Sequence, residues 1–254
     1  MKLAVCGKGG SGKSTLVALL AHEALSRNRR VVVVDADESN PGLFRLLGFE
    51  KPPSPLLELA GGRKKVRESL EGEGALARRE FGLEELPEAY VKRRDGLSLL
   101  SVGKITLAGE GCACPLGALG REVLRRLRLG EGELLLADLE AGVEHLGRGV
   151  EEGVDLVLVV VDPSFDSLVL AGRAAQMAEE MGKRVYGVLN RVRVGGMEER
   201  LRAEVERRGL RVAGVLHEDP ELFEAGMLGR LGGGRVWEEA GRLLDFLLGE
   251  GGCA

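Results

Sequence analysis

Residues 7 to 15 read Gly7-Lys8-Gly9-Gly10-Ser11-Gly12-Lys13-Ser14-Thr15. They fit the phosphate-loop pattern G-x-x-x-x-G-K-[ST], in its required place between an apolar run and a helix. Glycines let backbone N–H groups crowd around phosphate oxygens with no side chain in the way. The helix that opens near Lys13 adds its positive end. The pattern sends Lys13 to the β- and γ-phosphates of ATP and the Ser14 hydroxyl to a Mg²⁺ ion. Gly9, Gly10, Ser11, Gly12 and Thr15 complete the cradle. Lys8, directly after the first glycine, is a second lysine that the basic pattern does not need. It is either a group with a task of its own or a solvated lysine drawn to the phosphates of its own chain.

Carboxylates follow the apolar runs. Val31–Val34 ends in Asp35-Ala36-Asp37, and Leu134–Ala137 ends in Asp138. In an open parallel sheet, ligands bind beyond the carboxyl ends of strands, where these acids fall. Asp138 fits the Mg²⁺-side carboxylate of a phosphate-loop ATPase. Gly142, in Glu140-Ala141-Gly142, can bring its N–H to a γ-phosphate. Either Asp35 or Asp37 could instead only cap a turn or the following helix. Asn190 ends Arg184–Leu189, and an Asn there can equally be a turn former.

The sequence also holds four cysteines. Cys112 and Cys114 flank a single alanine, and two thiolates so spaced can reach one soft ion. Two sulfurs fill half a tetrahedral site. A twofold dimer would supply the other half from the same pair in the second chain. Apolar filling and a redox dithiol are the competing readings. Cys6, inside the first apolar run, reads as core, and Cys253 sits in a Gly-rich tail. His22 and His217 read as surface or loop residues rather than ligands.

The run Lys8-Gly9-Gly10-Ser11-Gly12-Lys13-Ser14 resembles the deviant Walker A motif of the MinD/ParA/nitrogenase iron protein superfamily. That resemblance implies that Lys8 crosses a dimer interface to the partner's nucleotide, acting like an arginine finger supplied in trans. It further implies that Asp37 orients the attacking water, that Asp35 lies near the Mg²⁺ shell, and that Asn40 to Gly42 form switch I. The Asn190 amide would read the adenine edge, and His217-Glu218-Asp219-Pro220 would cover the base. Asp138-Leu139-Glu140-Ala141-Gly142-Val143-Glu144-His145-Leu146-Gly147-Arg148-Gly149 is similar to the switch II signature of the CooC-type accessory ATPases of carbon monoxide dehydrogenase. The C-x-C pair, Val161-Asp162-Pro163-Ser164 and Asn190 match that family in order. Members are dimeric ATPases that bind Ni²⁺ or Zn²⁺ through the C-x-C pair and help insert nickel into carbon monoxide dehydrogenase or acetyl-CoA synthase. In that light Glu144 and His145 are switch-coupling residues. The implied assembly is a homodimer closed by ATP, with Cys112 and Cys114 of both chains holding one metal.

Two other functions are compatible with the superfamily. One is a reductase with an interfacial [4Fe–4S] cluster, although the cysteine expected after switch II is missing. The other is a MinD/ParA-like positioning ATPase that acts on membrane or DNA. Against the latter, the amphipathic segment Val236–Leu248 carries Glu238, Glu239 and Asp245 on its polar side, whereas a membrane-surface helix is usually basic.

The elements that must hold these residues are legible as alternation. Lys2–Cys6, Val31–Val34, Leu97–Val102, Leu134–Ala137, Val154–Val161, Arg184–Leu189 and Val212–Leu216 read as strands covered on both faces. Ser14–Arg27, Pro115–Arg128, Ser164–Met181, Met197–Arg208 and Val236–Leu248 have helical spacing. The expected fold is α/β: a single doubly wound, mostly parallel sheet with helices on both faces, one domain over residues 1–254. Gly61–Asp95, with nine Lys/Arg and eight Asp/Glu, breaks the rhythm. It reads either as a helical excursion that moves with the nucleotide or as a solvated helix pair over a sheet edge.

Composition agrees. The 254 residues carry 36 basic and 40 acidic side chains, a net charge of −4, so no footprint for nucleic acid is visible. Aromatics at 4% leave little for base stacking. No apolar run approaches the ~20 residues of a membrane span. A strand starting at Lys2 leaves no room for a leader. The expected partners are a second copy and a client enzyme, with neither nucleic acid nor membrane, in the cytoplasm.

Overall fold

The computed structural model describes residues 1–70, 80–104, 114–143 and 149–251. Its strands are β1 (Lys2–Gly7), β2 (Val31–Ala36), β3 (Lys92–Arg94), β4 (Leu97–Ser101), β5 (Leu134–Leu139), β6 (Leu156–Val161), β7 (Arg184–Val192) and β8 (Val212–His217). They form one sheet in the order β3-β4-β2-β5-β1-β6-β7-β8. Every pairing is parallel except β3 with β4. The expected doubly wound α/β architecture is the observed one.

Strand residues sort by parity. Leu3, Val5, Val31, Val33, Leu134 and Leu136 face one layer, with α1 (Lys13–Ser26) and α9 (Arg235–Gly251). Ala4, Cys6, Val32, Val34, Leu135 and Ala137 face the other. That layer is built from α5 (Cys114–Arg126), α6 (Phe165–Met181) and α7 (Met197–Glu206). The period-2 alternation of a strand explains why near-continuous Val/Leu runs were needed: both faces are dry.

The main departures lie between β2 and β4. Short helices α2 (Leu43–Leu46), α3 (Leu56–Leu59) and α4 (Gly62–Leu70) follow β2. Of the charged stretch read as an excursion or a helix pair, the described residues form α4, two short 3-10 turns and β3. Val66 reaches the core while Lys64 and Arg67 stay in solvent. Lys-Arg-Arg has no hydrophobic alternation, so β3 was not visible as a strand. It is held by backbone pairing to β4, and charges on the last strand blunt an open edge. Helix α8 (Pro220–Met227) was also unexpected, and Asp219 caps it by accepting from the N–H groups of Glu221 and Leu222. Other boundaries shift by one to three residues, as terminal turns do.

Candidate functional site

Residues 7–12 leave the carboxyl end of β1 and turn into α1. Gly7 has φ +140, and a Cβ there would stand 2.6 Å from the Val160 carbonyl oxygen. Gly12 has φ +100, and a Cβ would meet the Asn190 amide nitrogen at 2.3 Å. Only glycine fits either position. Helix α1 has no side-chain cap at its start, so its first N–H groups are available to an anion. Lys13 is buried and its ammonium folds back to the Lys8 carbonyl at 3.5 Å.

The carboxylates meet beside this loop. Asp35 and Asp138 are register partners across β2 and β5. Asp138 Oδ2 accepts from the Ser14 hydroxyl at 2.5 Å, and Ser14 in turn accepts from the Asn40 amide at 2.6 Å. Asp138 Oδ1 is buried without a hydrogen-bond partner. Burial pushes the Asp138 carboxyl up to about 7, with Asp35 and Asp37 adding to the rise and the Ser14 hydroxyl and Lys13 opposing it. Asp35 is raised to about 6 by burial against the pull of Lys104. A hydroxyl, two buried carboxylates and an orphaned oxygen form a hard-oxygen donor set, which suits Mg²⁺ with its water shell.

Asp37 Oδ1 accepts from both the backbone N–H (2.9 Å) and the hydroxyl (2.6 Å) of Ser39. The turn-capping reading of one of the two aspartates is thus realised at Asp37. Next to it, burial and a hydrogen bond with Glu140 raise Glu38 to about 8. A carboxyl after β2 therefore meets one after β5, although neither was given a role from sequence.

Three expected contacts are taken within the chain. The Gly142 N–H donates to the Gly7 carbonyl at 3.0 Å. The Asn190 amide donates to the Ser11 carbonyl at 2.7 Å, bracing the loop from β7. The Lys8 ammonium donates to the Ser164 hydroxyl at 3.2 Å and lies 3.9 Å from the Asp166 carboxylate. Ser164 belongs to a small network: Asp162 accepts from the hydroxyls of Ser164 and Ser167 at 2.5 Å each. Those hydroxyls, with Lys8 and Arg191, hold Asp162 below the usual carboxylate range despite some burial.

A cavity of about 760 Å³ continues from the loop, lined by Gly12, Thr15, Asn190, His217, Asp219 and Phe223 among others. It lies where the base of a nucleotide would extend from the phosphates. Arg191 lines it too, in a left-handed conformation (φ 56) at a bulge between β7 and β8. His217 is not a surface or loop residue. It ends β8 with its ring between Glu239 (Nδ1, 2.7 Å) and Glu198 (Nε2, 3.2 Å).

Lys104 is the site residue that sequence reading missed. Its ammonium donates to Asp35 Oδ1 at 2.7 Å and to the Asp37 carbonyl oxygen. The available signal was its place just past the carboxyl end of the strand next to β2.

Cys112 lies outside the described residues, as do Glu144, His145 and Cys253. Cys114 opens α5 on the carboxyl edge of the sheet. Cys6 is fully buried in the core, as expected. Among the described residues, no group of three or more His, Cys, Asp or Glu could hold a metal ion. Likewise, no described helix is long and apolar enough to cross a membrane.

Residues 3–231 match the family model described as the CobQ/CobB/MinD/ParA nucleotide binding domain. An uncharacterized ATP-binding protein of Methanocaldococcus jannaschii is 44% identical over 197 residues, covering 76% of this chain and 79% of that one. The carbon monoxide dehydrogenase accessory protein CooC of Rhodospirillum rubrum is 36% identical over 200 residues, covering 76% and 74%. The fold superposes on the cell division ATPase MinD of Pyrococcus furiosus with a TM-score of 0.69, at 19% identity over 98% of both chains. With the loop, the paired aspartates and the sheet order all in place, the chain belongs to the CobQ/CobB/MinD/ParA nucleotide-binding family and is a P-loop ATPase.

Proposed function

We propose that this ATPase is a metal-delivery accessory protein. It closes into a homodimer on ATP and binds Ni²⁺ or Zn²⁺ at Cys112 and Cys114 of both chains. Its client is carbon monoxide dehydrogenase or acetyl-CoA synthase. The observation that carries the reading is Cys114 at the start of α5, on the sheet edge that also bears the phosphate loop and Lys8, with Cys112 two residues before it in the sequence. Likeness to the CooC protein of Rhodospirillum rubrum supports the client class.

In this reading the ATP phosphates seat on Gly9–Thr15, with Lys13 on the β- and γ-oxygens and Asn190 bracing the loop. The adenine enters the cavity between Asn190 and His217–Pro220. Ser14, Asp35 and Asp138 would hold Mg²⁺, which would supply positive charge to the phosphate oxygens. Lys8 leaves Ser164 and reaches the partner's nucleotide, adding positive charge where the transferred phosphoryl group develops negative charge. Asp37 orients the attacking water through the oxygen not committed to Ser39. The Gly142 N–H exchanges the Gly7 carbonyl for the γ-phosphate, so loss of phosphate returns switch II to its resting bond. The metal is cargo. Four thiolates from two chains form a closed site, and separating the halves weakens it.

Exposed apolar side chains support a second copy as the occupant of this edge. Phe165, Val169, Val194, Phe223, Met227 and Leu228 are all exposed. All six lie in segments leaving the carboxyl ends of β6, β7 and β8. The decisive experiment measures mass by light scattering and metal content with a non-hydrolysable ATP analogue or with ADP, for the wild type and a Cys112→Ala/Cys114→Ala variant. The expected result is a dimer with one metal per two chains under the analogue, weaker metal binding with ADP, and none in the variant. Monomers under the analogue, or equal metal affinity with both nucleotides, would overturn the reading.

A further inference from the structure

Asp35 has 8% of its side chain exposed, and its charge does not lie open to a metal. Lys104 leaves the end of β4 and turns back over the end of β2. Its ammonium bonds both Asp35 Oδ1 and the Asp37 carbonyl oxygen, with 21% of the Lys104 side chain exposed. The backbone sets up this return: Ser101 is the register partner of Asp35, and the Val102 N–H donates to the Asp35 carbonyl at 2.9 Å. Across the other side of β2, Asp138 holds Ser14 with one oxygen and keeps the second unpartnered. One aspartate is therefore already neutralised by a lysine, while its register neighbour, buried as well, keeps one carboxylate oxygen without a partner.

We propose that Lys104 is a resident counter-ion that competes with Mg²⁺: it neutralises Asp35 in the nucleotide-free chain and is released from it when Mg²⁺ arrives with the nucleotide. A half-buried ammonium and a divalent cation repel each other where solvent screening is poor. A lysine suits this exchange because its charge rides on a flexible four-carbon stem and its three donors can be re-satisfied by water. The same ammonium bonds the backbone at Asp37. Releasing it frees the backbone at Asp37, three residues before the Asn40–Gly42 segment, which is how that segment would register that the metal has arrived. Lys104 is a positioning residue: it touches Asp35 and Asp37, and nothing assigns it a contact with the phosphates.

The inference rests on placing Mg²⁺ beside Ser14, Asp35 and Asp138, and the test separates the two. ADP affinity is measured by calorimetry across a Mg²⁺ titration for the wild type, Lys104→Met and Lys104→Arg. Lys104→Met is expected to lower the half-saturating Mg²⁺ concentration by about fivefold or more, the lower end of ordinary coupling between sites. Lys104→Arg, which keeps the positive charge, moves back toward the wild type. An unchanged or raised Mg²⁺ requirement in Lys104→Met overturns the role of Lys104 alone. No effect of Mg²⁺ on ADP affinity in any of the proteins overturns the metal placement as well. A second measurement needs no variant: the rate of reductive methylation at Lys104, read by mass spectrometry in the wild type. That rate rises with Mg²⁺ and ADP if the ion pair opens, and a constant or slower rate overturns the proposal.

Discussion

Lys8 is the side chain that the proposed dimer would have to move. In the single chain its ammonium is satisfied by Ser164 and sits near Asp166, so the lysine is neither idle in solvent nor aimed at its own phosphates. Both contacts are half-exposed and individually weak, which suits a group that must let go. Lys13, by contrast, is buried beneath the loop and has no comparable alternative. Lys8→Ala should therefore keep ADP affinity while lowering turnover by about 10³–10⁵-fold, the range for a charge supplied in trans. Steady-state phosphate release beside nucleotide titration checks this. Unchanged turnover would return Lys8 to a purely local role.

Among the elements, α9 has the clearest anchor. The Glu239 carboxylate on α9, with 2% of its side chain exposed, accepts from the His217 backbone N–H (2.8 Å), the His217 ring (2.7 Å) and Arg235 (2.6 Å). It fixes the end of β8, from which the wall of the base cavity departs. Removing one member of a buried charged cluster strands the others, so Glu239→Ala should cost about 3 kcal/mol in urea unfolding. Glu238, 79% exposed and 3.9 Å from Arg242, is the control. Its alanine variant should stay within about 0.5 kcal/mol of the wild type. Similar losses for both would show that the cluster is not what ties α9 to β8. Sequence reading saw α9 as a packed amphipathic helix but not its hold on the site, because Glu239 looked like any other acid on the polar side.

At the scale of the molecule, the sheet sends one edge outward with its apolar side chains exposed. Phe165, 74% exposed, stands between the two residues that hold Lys8. Any partner that draws Lys8 across must pass it. Phe165→Asp is expected to weaken analogue-dependent dimerisation by about thirtyfold or more, the scale of a central aromatic contact, while ADP affinity stays unchanged. Sedimentation across a concentration series reads the first and calorimetry the second. A dimer of undiminished strength would place the interface elsewhere.

The sequence by itself determined the sheet and the phosphate loop. Continuous Val/Leu runs admit only strands buried on both faces, and two lysines among four glycines in nine residues leave few other conformations that bind phosphate. It also located Asp35, Asp37 and Asp138, because acids that end buried strands must emerge at one edge. Only the tertiary structure decided which partners those groups take. Lys104 on Asp35, Glu38 against Glu140, Asn190 on the Ser11 carbonyl and Lys8 on Ser164 each join residues from different strand ends. Nor could β3 be read from its own residues, since a charged edge strand is held by its neighbour's backbone. Hydrophobic periodicity records which face of an element is dry, whereas a hydrogen bond between distant segments is settled only when packing brings their ends together.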